Sequence, residues 1–233
     1  RLSRDDAAIV GGLASVDGYK LMIIGHQKGR DIESNIFRNF GMASPEGYRK
    51  ALRLMRMAER FKLPILTVID TSGAYAGIEA EEKGQSEAIA KNLAEMFVIK
   101  VPIVAVVIGE GGSGGALGVG VADSILMLEN SVYSVISPEG CATILFNDSK
   151  KAPDAARSLK IDSISLKSFG IIDGIVKEPL GGAHRDLKQA SINLKTAVLK
   201  EFKKIDKFEI ENLLEKRYNK YRKIGEFFEK EGE

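Results

Sequence analysis

The sequence predicts an α/β protein in which helices pack on a mostly parallel β-sheet. Strand-length apolar runs alternate with amphipathic segments of helical period along most of the chain, the pattern of layered folds. Two of these runs end directly in glycine-rich loops, at residues 70–77 and 109–115. Because α/β proteins bind ligands at the carboxyl ends of their strands, these two loops are the candidate functional site.

Six strands are predicted from runs rich in β-branched and other apolar residues. In chain order they cover residues 7–16, 19–25, 64–69, 101–108, 124–128 and 131–136. The first two runs are joined by Asp17-Gly18, a strong signal for a two-residue hairpin turn. The run at 101–108 is apolar throughout, which is typical of a buried strand.

Helices are predicted from their starting residues and from the spacing of apolar side chains. Ser44 as N-cap and Pro45 in the first turn open the first helix, whose apolar face begins at Tyr48. Further helices are predicted at 85–97, just after Gly112, from 137 onward, at 188–204 and at 209–228. No strand signal follows residue 184, so residues 185–233 are expected to form a helical extension that either packs on the first domain or docks a partner.

Composition and charge exclude several classes of protein. The 233 residues are 44% hydrophobic and 28% charged, as in ordinary soluble globular proteins. A formal net charge of +2 gives no general case for binding nucleic acid or a membrane surface. No apolar run approaches the roughly 18 residues that cross a bilayer, and no signal peptide is visible, so we expect a cytoplasmic protein.

Neither metal nor disulfide chemistry is expected within this chain. Cys141 is its single cysteine, which excludes an internal disulfide, and its apolar neighbours favour a buried structural thiol. His26 and His184 are far apart in sequence and have no ligand pattern around them. The chain does not begin with Met, so we expect that it lacks residues of the gene product.

The glycine cluster at 109–115 predicts a site built from backbone groups. Consecutive glycines let a ligand approach the backbone closely, and the first N–H groups of the helix that follows have no partner within it. No nucleophile elbow, phosphate-binding loop or Ser-His-Asp order is present. Backbone amides presented to a negative oxygen, as in an oxyanion hole, are therefore the expected chemistry.

Two other interpretations remain open from the residues alone. Gly109, Gly111 and Gly114 have the spacing of a dinucleotide fingerprint, with Glu129 about 20 residues further on. They would suit a Rossmann-type oxidoreductase that uses NAD. Alternatively, the chain is a non-catalytic scaffold whose basic helical extension binds a partner or messenger RNA.

A family resemblance covers nearly the whole chain in matching order. The segments that carry it are GHQKGR (25–30), RNFGM (38–42), PEGYRKALRLM (45–55), AERF (58–61), IGEGGSGGAL (108–117), YSVISPEGC (133–141) and EPLGGAHR (178–185). Together they resemble the alpha-subunit family of bacterial-type acetyl-CoA carboxylase carboxyltransferases. The resemblance implies a crotonase-type fold, a spiral of ββα units over residues 1–184, with the helical tail at 185–233. We expect that the amino-terminal helical extension of that family is missing from this sequence.

The resemblance also implies a reaction and a set of partners. The carboxyl group of carboxybiotin, carried on a biotin carrier protein, is transferred to acetyl-CoA to give malonyl-CoA, the first committed step of fatty acid synthesis. The expected partners are a zinc-containing beta subunit in an α2β2 assembly, the biotin carboxyl carrier protein and biotin carboxylase. Zinc is expected only on the beta subunit.

Residue roles follow from the same resemblance. The backbone amides of Gly114 and Gly115 match the glycine pair that stabilises the carboxybiotin oxyanion. Substrate contacts are expected from the surrounding loop residues, which are Gly73, Ala74, Tyr75, Gly77, Gly111 and Gly112. We expect Gly115 to lie at a surface cleft, so that Gly115→Val keeps the fold while blocking the site.

The first loop departs from the family pattern at three positions. The family has DTPGAYPG followed by a small residue, whereas this chain has Ser72, Ala76 and Glu79 at the corresponding positions. Losing two prolines is expected to loosen the loop, because proline restricts the conformations of the chain.

Overall fold

The computed structural model describes residues 4–225 and confirms the α/β class. Its strands are β1 (Ile9–Val16), β2 (Tyr19–His26), β3 (Ile65–Thr71), β4 (Ile103–Gly112), β5 (Ser124–Leu128), β6 (Val132–Ser134) and β7 (Gly174–Val176). Its helices are α1 (Ile32–Phe37), α2 (Pro45–Arg60), α3 (Ile78–Glu82), α4 (Gln85–Val98), α5 (Ser113–Leu117), α6 (Pro138–Phe146), α7 (Ala152–Leu159), α8 (Ser163–Ser168), α9 (Leu187–Ile205) and α10 (Ile210–Arg222). Short 3-10 turns occur at Asn39–Gly41 and Ser149–Lys151.

The strands form one mixed sheet of order β1-β2-β3-β4-β5-β7. β1 runs antiparallel to β2, which confirms the predicted hairpin, and the remaining pairs along this path are parallel. β6 lies off the path and pairs with the last residues of β4, Glu110–Gly112. The carboxyl ends of β2, β3 and β4 therefore lie side by side at one edge of the sheet.

Side chains of β4 alternate between two apolar cores, one on each face of the sheet. Val107 lies in one core with Tyr48 of α2 and Met96 of α4. Val104 lies in the other core with Phe202 of α9. Burying one large apolar side chain contributes about 1.5–3 kcal/mol to stability. Since α9 buries Phe202 against the sheet, the helical extension is held on the sheet as part of the fold.

Five elements have no counterpart in the sequence-based prediction: α1, α3, α7, α8 and β7. All five are short. Helix α1 buries none of its residues, so its sequence has no apolar residues at helical spacing that would predict it. A capping box between Asp31 and Ser34 defines its start instead. The strand predicted to end at Ile108 continues to Gly112, because β6 pairs with that end. Residues 226–228 of the last predicted helix lie outside the described residues.

A buried arginine fastens α10 to the sheet. The guanidinium of Arg217 pairs with both carboxylate oxygens of Asp123, at 2.8 and 2.7 Å. It also donates to the carbonyl oxygens of Met96, Ile99 and Val101 at 2.7–2.9 Å. All five N–H donors are thereby satisfied, which is what allows a fully buried charge at this position.

We predict that Arg217→Met lowers the free energy of unfolding by about 3–5 kcal/mol, because it leaves the buried Asp123 carboxylate unpaired. Arg222→Met, on the same helix but exposed, is the matched control and should change stability by less than about 0.5 kcal/mol. Urea denaturation followed by circular dichroism measures both. Equal stability of the two variants would show that the Arg217 pair does not hold α10.

Candidate active site

The loop after β3 is held in place by buried side chains. The Thr71 hydroxyl donates to the carbonyl oxygen of Gly73 at 2.7 Å and accepts its amide at 3.2 Å. The Gln85 side chain donates to the carbonyl oxygens of Tyr75 and Ala43 at 2.7 and 2.9 Å. These bonds fix the loop from within. The substituted positions Ser72, Ala76 and Glu79 are exposed on its outer side.

The two glycine loops meet backbone to backbone. An ideal Cβ on Gly112 would lie 2.0 Å from the carbonyl oxygen of Ser72. One on Gly115 would lie 2.3 Å from the carbonyl carbon of Gly73 and 2.5 Å from the amide nitrogen of Ala74. Real Cβ atoms do not approach so closely, so only glycine permits this contact. The structure thus brings together the two loops that the sequence marked separately.

Our expectation that Gly115 lies at a surface cleft is wrong. Gly115 is buried, and the space for its side chain is filled by the backbone of the first loop. A valine there would separate the two loops, so Gly115→Val cannot report on ligand approach alone. Gly77 is less constrained, since its Cβ would lie 2.5 Å from the end of the Tyr75 side chain, which can move, and not from backbone.

Packing does not require glycine at Gly73 or Gly114. An ideal Cβ on Gly73 meets no described atom within 4 Å, and one on Gly114 makes only an ordinary contact with Ile89 at 3.6 Å. Neither residue has the left-handed φ that favours glycine. Ser113 does have such a φ, +51°, a conformation that costs about 1–3 kcal/mol and concentrates at functional sites.

A charged cluster lies at the same edge of the sheet. The Lys28 ammonium contacts Asp70 Oδ1 at 2.9 Å and Glu110 Oε2 at 2.5 Å. Burial alone would lower the pKa of Lys28, but its hydrogen bonds to Glu110 and Asp70 outweigh burial and raise it. The lysine therefore stays charged at neutral pH.

His26 lies beneath this cluster, at the end of β2. It is buried, and neither ring nitrogen has a hydrogen-bond partner among the described residues. Burial lowers the pKa of His26 to about 4, and the nearby Asp70 carboxylate offsets this only in part. The imidazole is therefore neutral at pH 7. Sequence reasoning assigned no site role to the His26, Lys28 or Asp70 side chains, although each follows or ends an apolar strand.

An apolar groove of about 360 Å³ begins at Ser113, beside the second loop. Its lining residues are Ser113, Leu117, Ile125, Tyr133, Ser134, Val135, Leu159, Ile161, Leu166, Ile171, Tyr221 and Ile224. The Tyr133 ring also packs where a Cβ on Gly111 would lie, 2.7 Å away. Burial raises the pKa of Tyr133 to about 12, so its hydroxyl remains protonated.

The residues of the dinucleotide alternative have other contacts. An ideal Cβ on Gly109 would lie 2.6 Å from Asp70 Oδ1, so this glycine makes room for a carboxylate. Glu129 pairs with Lys177 at 2.6 Å. The helix after the glycines, α5, has only five residues, whereas the fingerprint places a longer helix behind the pyrophosphate. The geometry gives no support to an NAD-dependent oxidoreductase.

Residues 4–225 contain neither a membrane-spanning helix nor a metal-binding cluster. No helix in that range has both the length and the apolar character needed to cross a membrane. Nor do His, Cys, Asp and Glu side chains gather there in a group of three or more able to hold a metal ion. Cys141 is a buried free thiol that packs with Ala142 and Ala155.

Solved structures that resemble this chain confirm the crotonase-type fold. A Pseudomonas malonate decarboxylase hetero-tetramer in complex with coenzyme A superposes with a TM-score of 0.72 over 94% of this chain and 88% of that one, at 18% identity. The transcarboxylase 12S core, with hydrolysed methylmalonyl-coenzyme A bound, gives a TM-score of 0.65 over 97% of this chain and 38% of that one, also at 18% identity. At such low identity the likeness concerns the fold alone.

Sequence comparison is more specific. The alpha subunit of acetyl-coenzyme A carboxylase carboxyl transferase from Fusobacterium nucleatum is 63% identical over 97% of this chain and 72% of its own length. The Geobacter metallireducens subunit of the same name is 58% identical over 98% of this chain and 72% of its own length. The family model for acetyl co-enzyme A carboxylase carboxyltransferase-like proteins matches residues 1–225. This chain therefore belongs to the acetyl-CoA carboxylase carboxyltransferase family, whose role is carboxyl transfer to acetyl-CoA.

Proposed function

We propose that the two touching glycine loops form the biotin side of the carboxyl transfer site, and that this chain works as the alpha subunit of a multi-subunit acetyl-CoA carboxylase. The observation that carries the proposal is the backbone contact of Gly112 and Gly115 with the loop after β3. It assembles two sets of backbone amides at the carboxyl edge of the sheet, where α/β proteins bind their ligands.

The residues present fit a biotin group presented by a partner protein. Space in front of Gly73 lets a ligand approach the backbone, and the groove beginning at Ser113 offers apolar contact. Biotin supplies the carboxyl group in this chemistry, and its ureido oxygen is the atom that backbone donors would stabilise.

In this chain those donors are the amides of Gly114 and Gly115. Both residues lie in the first turn of α5, where N–H groups have no partner within the helix and no side chain caps them. One such donor is worth about 2.7–4 kcal/mol of barrier. Contacts from Gly73, Ala74, Tyr75, Gly77, Gly111 and Gly112 would then fix the position of the bound group.

The other half of the reaction is assigned to partners. We propose that a beta subunit, carrying zinc, supplies the acetyl-CoA side in an α2β2 assembly, with the biotin carboxyl carrier protein and biotin carboxylase as further partners. Exposed apolar side chains on α1 and α6, such as Ile36, Phe37, Ile144 and Leu145, would suit such interfaces. We place the enzyme in the cytoplasm, where a lone cysteine stays reduced.

We predict that the purified chain alone forms no malonyl-CoA, and that activity appears when it is combined with its cognate beta subunit. The reason is that its glycine loops supply only one oxyanion site, whereas the thioester needs a second. The measurement is the formation of malonyl-CoA from acetyl-CoA and a carboxylated carrier, followed by mass spectrometry, for the chain alone and for the combined sample. The proposal would be contradicted if the single chain formed malonyl-CoA at a robust rate. It would also be contradicted if the combined sample formed none.

We predict that Gly73→Val leaves the fold intact but slows carboxyl transfer about a hundredfold, the cost of a misplacement of about 1 Å. The new side chain projects into the open space in front of the loop. Gly12→Val is the matched control, because Gly12 on β1 also has nothing within 4 Å of its missing Cβ. The measurement is kcat in the assembled complex, with thermal melting as the check on folding.

Near-normal kcat for Gly73→Val would show that the reacting group does not approach this loop. A loss of similar size in Gly12→Val would assign the effect to general damage. Either result would remove Gly73 from the proposed site.

A further inference from the structure

One ammonium group joins the carboxyl ends of three neighbouring strands. Lys28 follows β2, Asp70 lies near the end of β3, and Glu110 lies near the end of β4. The Lys28 Nζ contacts both carboxylates, at 2.9 and 2.5 Å. The Glu110 amide also donates to Asp70 Oδ1 at 3.0 Å, so the two strand ends are joined directly as well as through the lysine.

The two carboxylates of this cluster lie at the start of the two glycine loops. Asp70 comes two residues before Ser72, and Glu110 comes two residues before Gly112. These are the residues whose backbones touch when the loops meet. A change in the spacing of Asp70 and Glu110 therefore acts directly on the loop contact.

Two glycines make room for the cluster. An ideal Cβ on Gly41 would lie 2.9 Å from Lys28 Cγ and 3.0 Å from the carbonyl oxygen of Asp70, and φ at Gly41 is +78°. An ideal Cβ on Gly109 would lie 2.6 Å from Asp70 Oδ1. At both glycines the absence of a side chain leaves space for a member of the cluster. An ordinary surface ion pair does not require such space.

We propose that Lys28 is a positioning residue of the carboxyl transfer site, which neutralises Asp70 and Glu110 and so keeps the two glycine loops in contact. The proposal rests on the function proposed above. The cluster carries one positive and two negative charges with Lys28 present, and two negative charges without it. Unneutralised carboxylates would repel each other and would oppose negative charge developing at the neighbouring backbone donors.

The electrostatic setting makes this role testable by pH. Among the described residues, Asp70 from β3 and Glu110 from β4 are the charged groups that face Lys28, and the neutral His26 lies on β2. Without the lysine, two carboxylates share one site, which raises the pKa of one of them. Lowering the pH then protonates that carboxylate and relieves the repulsion, so the variant should recover activity as the pH falls.

The test uses the assembled complex of full-length chains. Lys28→Met should lower kcat about tenfold to a hundredfold at pH about 8, with a smaller change in KM for acetyl-CoA. Its kcat relative to the wild-type complex should rise as the pH falls toward about 6. Adding Glu110→Gln to Lys28→Met restores the original net charge and should recover kcat at least about threefold. Lys28→Arg, which keeps the charge, should stay close to the wild-type rate.

Lys50→Met is the matched control, because Lys50 pairs with Asp5 at 2.5 Å and its side chain is 21% exposed, against 28% for Lys28. It should lower the melting temperature without changing kcat or its pH profile. If Lys28→Met does not assemble, Lys28→Gln keeps a hydrogen-bond donor, removes the charge and carries the same expected pH profile.

Unchanged kcat in Lys28→Met would overturn the proposal. A loss that is equal at every pH, with no recovery on adding Glu110→Gln, would also overturn it and leave Lys28 a purely structural role. A wild-type complex that forms no malonyl-CoA contradicts the proposed function itself, and that result is seen before any variant is compared.

Discussion

The candidate site depends on one contact, the backbone approach of the loop after β4 to the loop after β3. It forms because β3 and β4 are parallel neighbours whose register shifts between Ile69 and Thr71, where Thr71 pairs with Gly111. The shift carries the glycine segment over the first loop, until Gly112 and Gly115 touch its backbone. No side chain fits between the loops, so their relative position is set by main-chain geometry, which varies less than side-chain rotamers.

Both ends of β4 are held by buried or half-buried charge. At the amino end, Asp123 accepts the Ile103 amide at 2.7 Å while it pairs with Arg217. At the carboxyl end, Glu110 is held by Lys28. The first arrangement is fully buried and fixes the helical extension to the sheet, and the second faces the site. A strand held in this way at each end can keep a strained residue such as Ser113, with φ of +51°, in place.

Most of the fold could be predicted from the sequence, because apolar residues recur at strand or helix spacing along the buried face of each long element. The hairpin at Asp17-Gly18 came from a local turn signal that the structure confirms. The helix beginning at Pro45 is also confirmed, but the Ser44 side chain bonds to Asp6 and makes no capping hydrogen bond. Elements without a buried apolar face, such as α1, could not be predicted in this way. The candidate site could be predicted from the sequence only in part. Glycine spacing marked both loops, but the burial of Gly115 and the Lys28 cluster depend on contacts across strands that no local pattern records.

Glycines in such a site serve two different purposes, and the structure separates them. Gly109, Gly112 and Gly115 are glycine because other atoms of the chain occupy the place of a side chain. At Gly73 and Gly114 no packing contact forbids one. Substitution of the first group therefore disturbs the architecture before it reaches any ligand. Backbone donors stabilise developing charge only when they are held in position, which is why the role proposed for Lys28 lies in the spacing of the two loops and not in contact with a ligand.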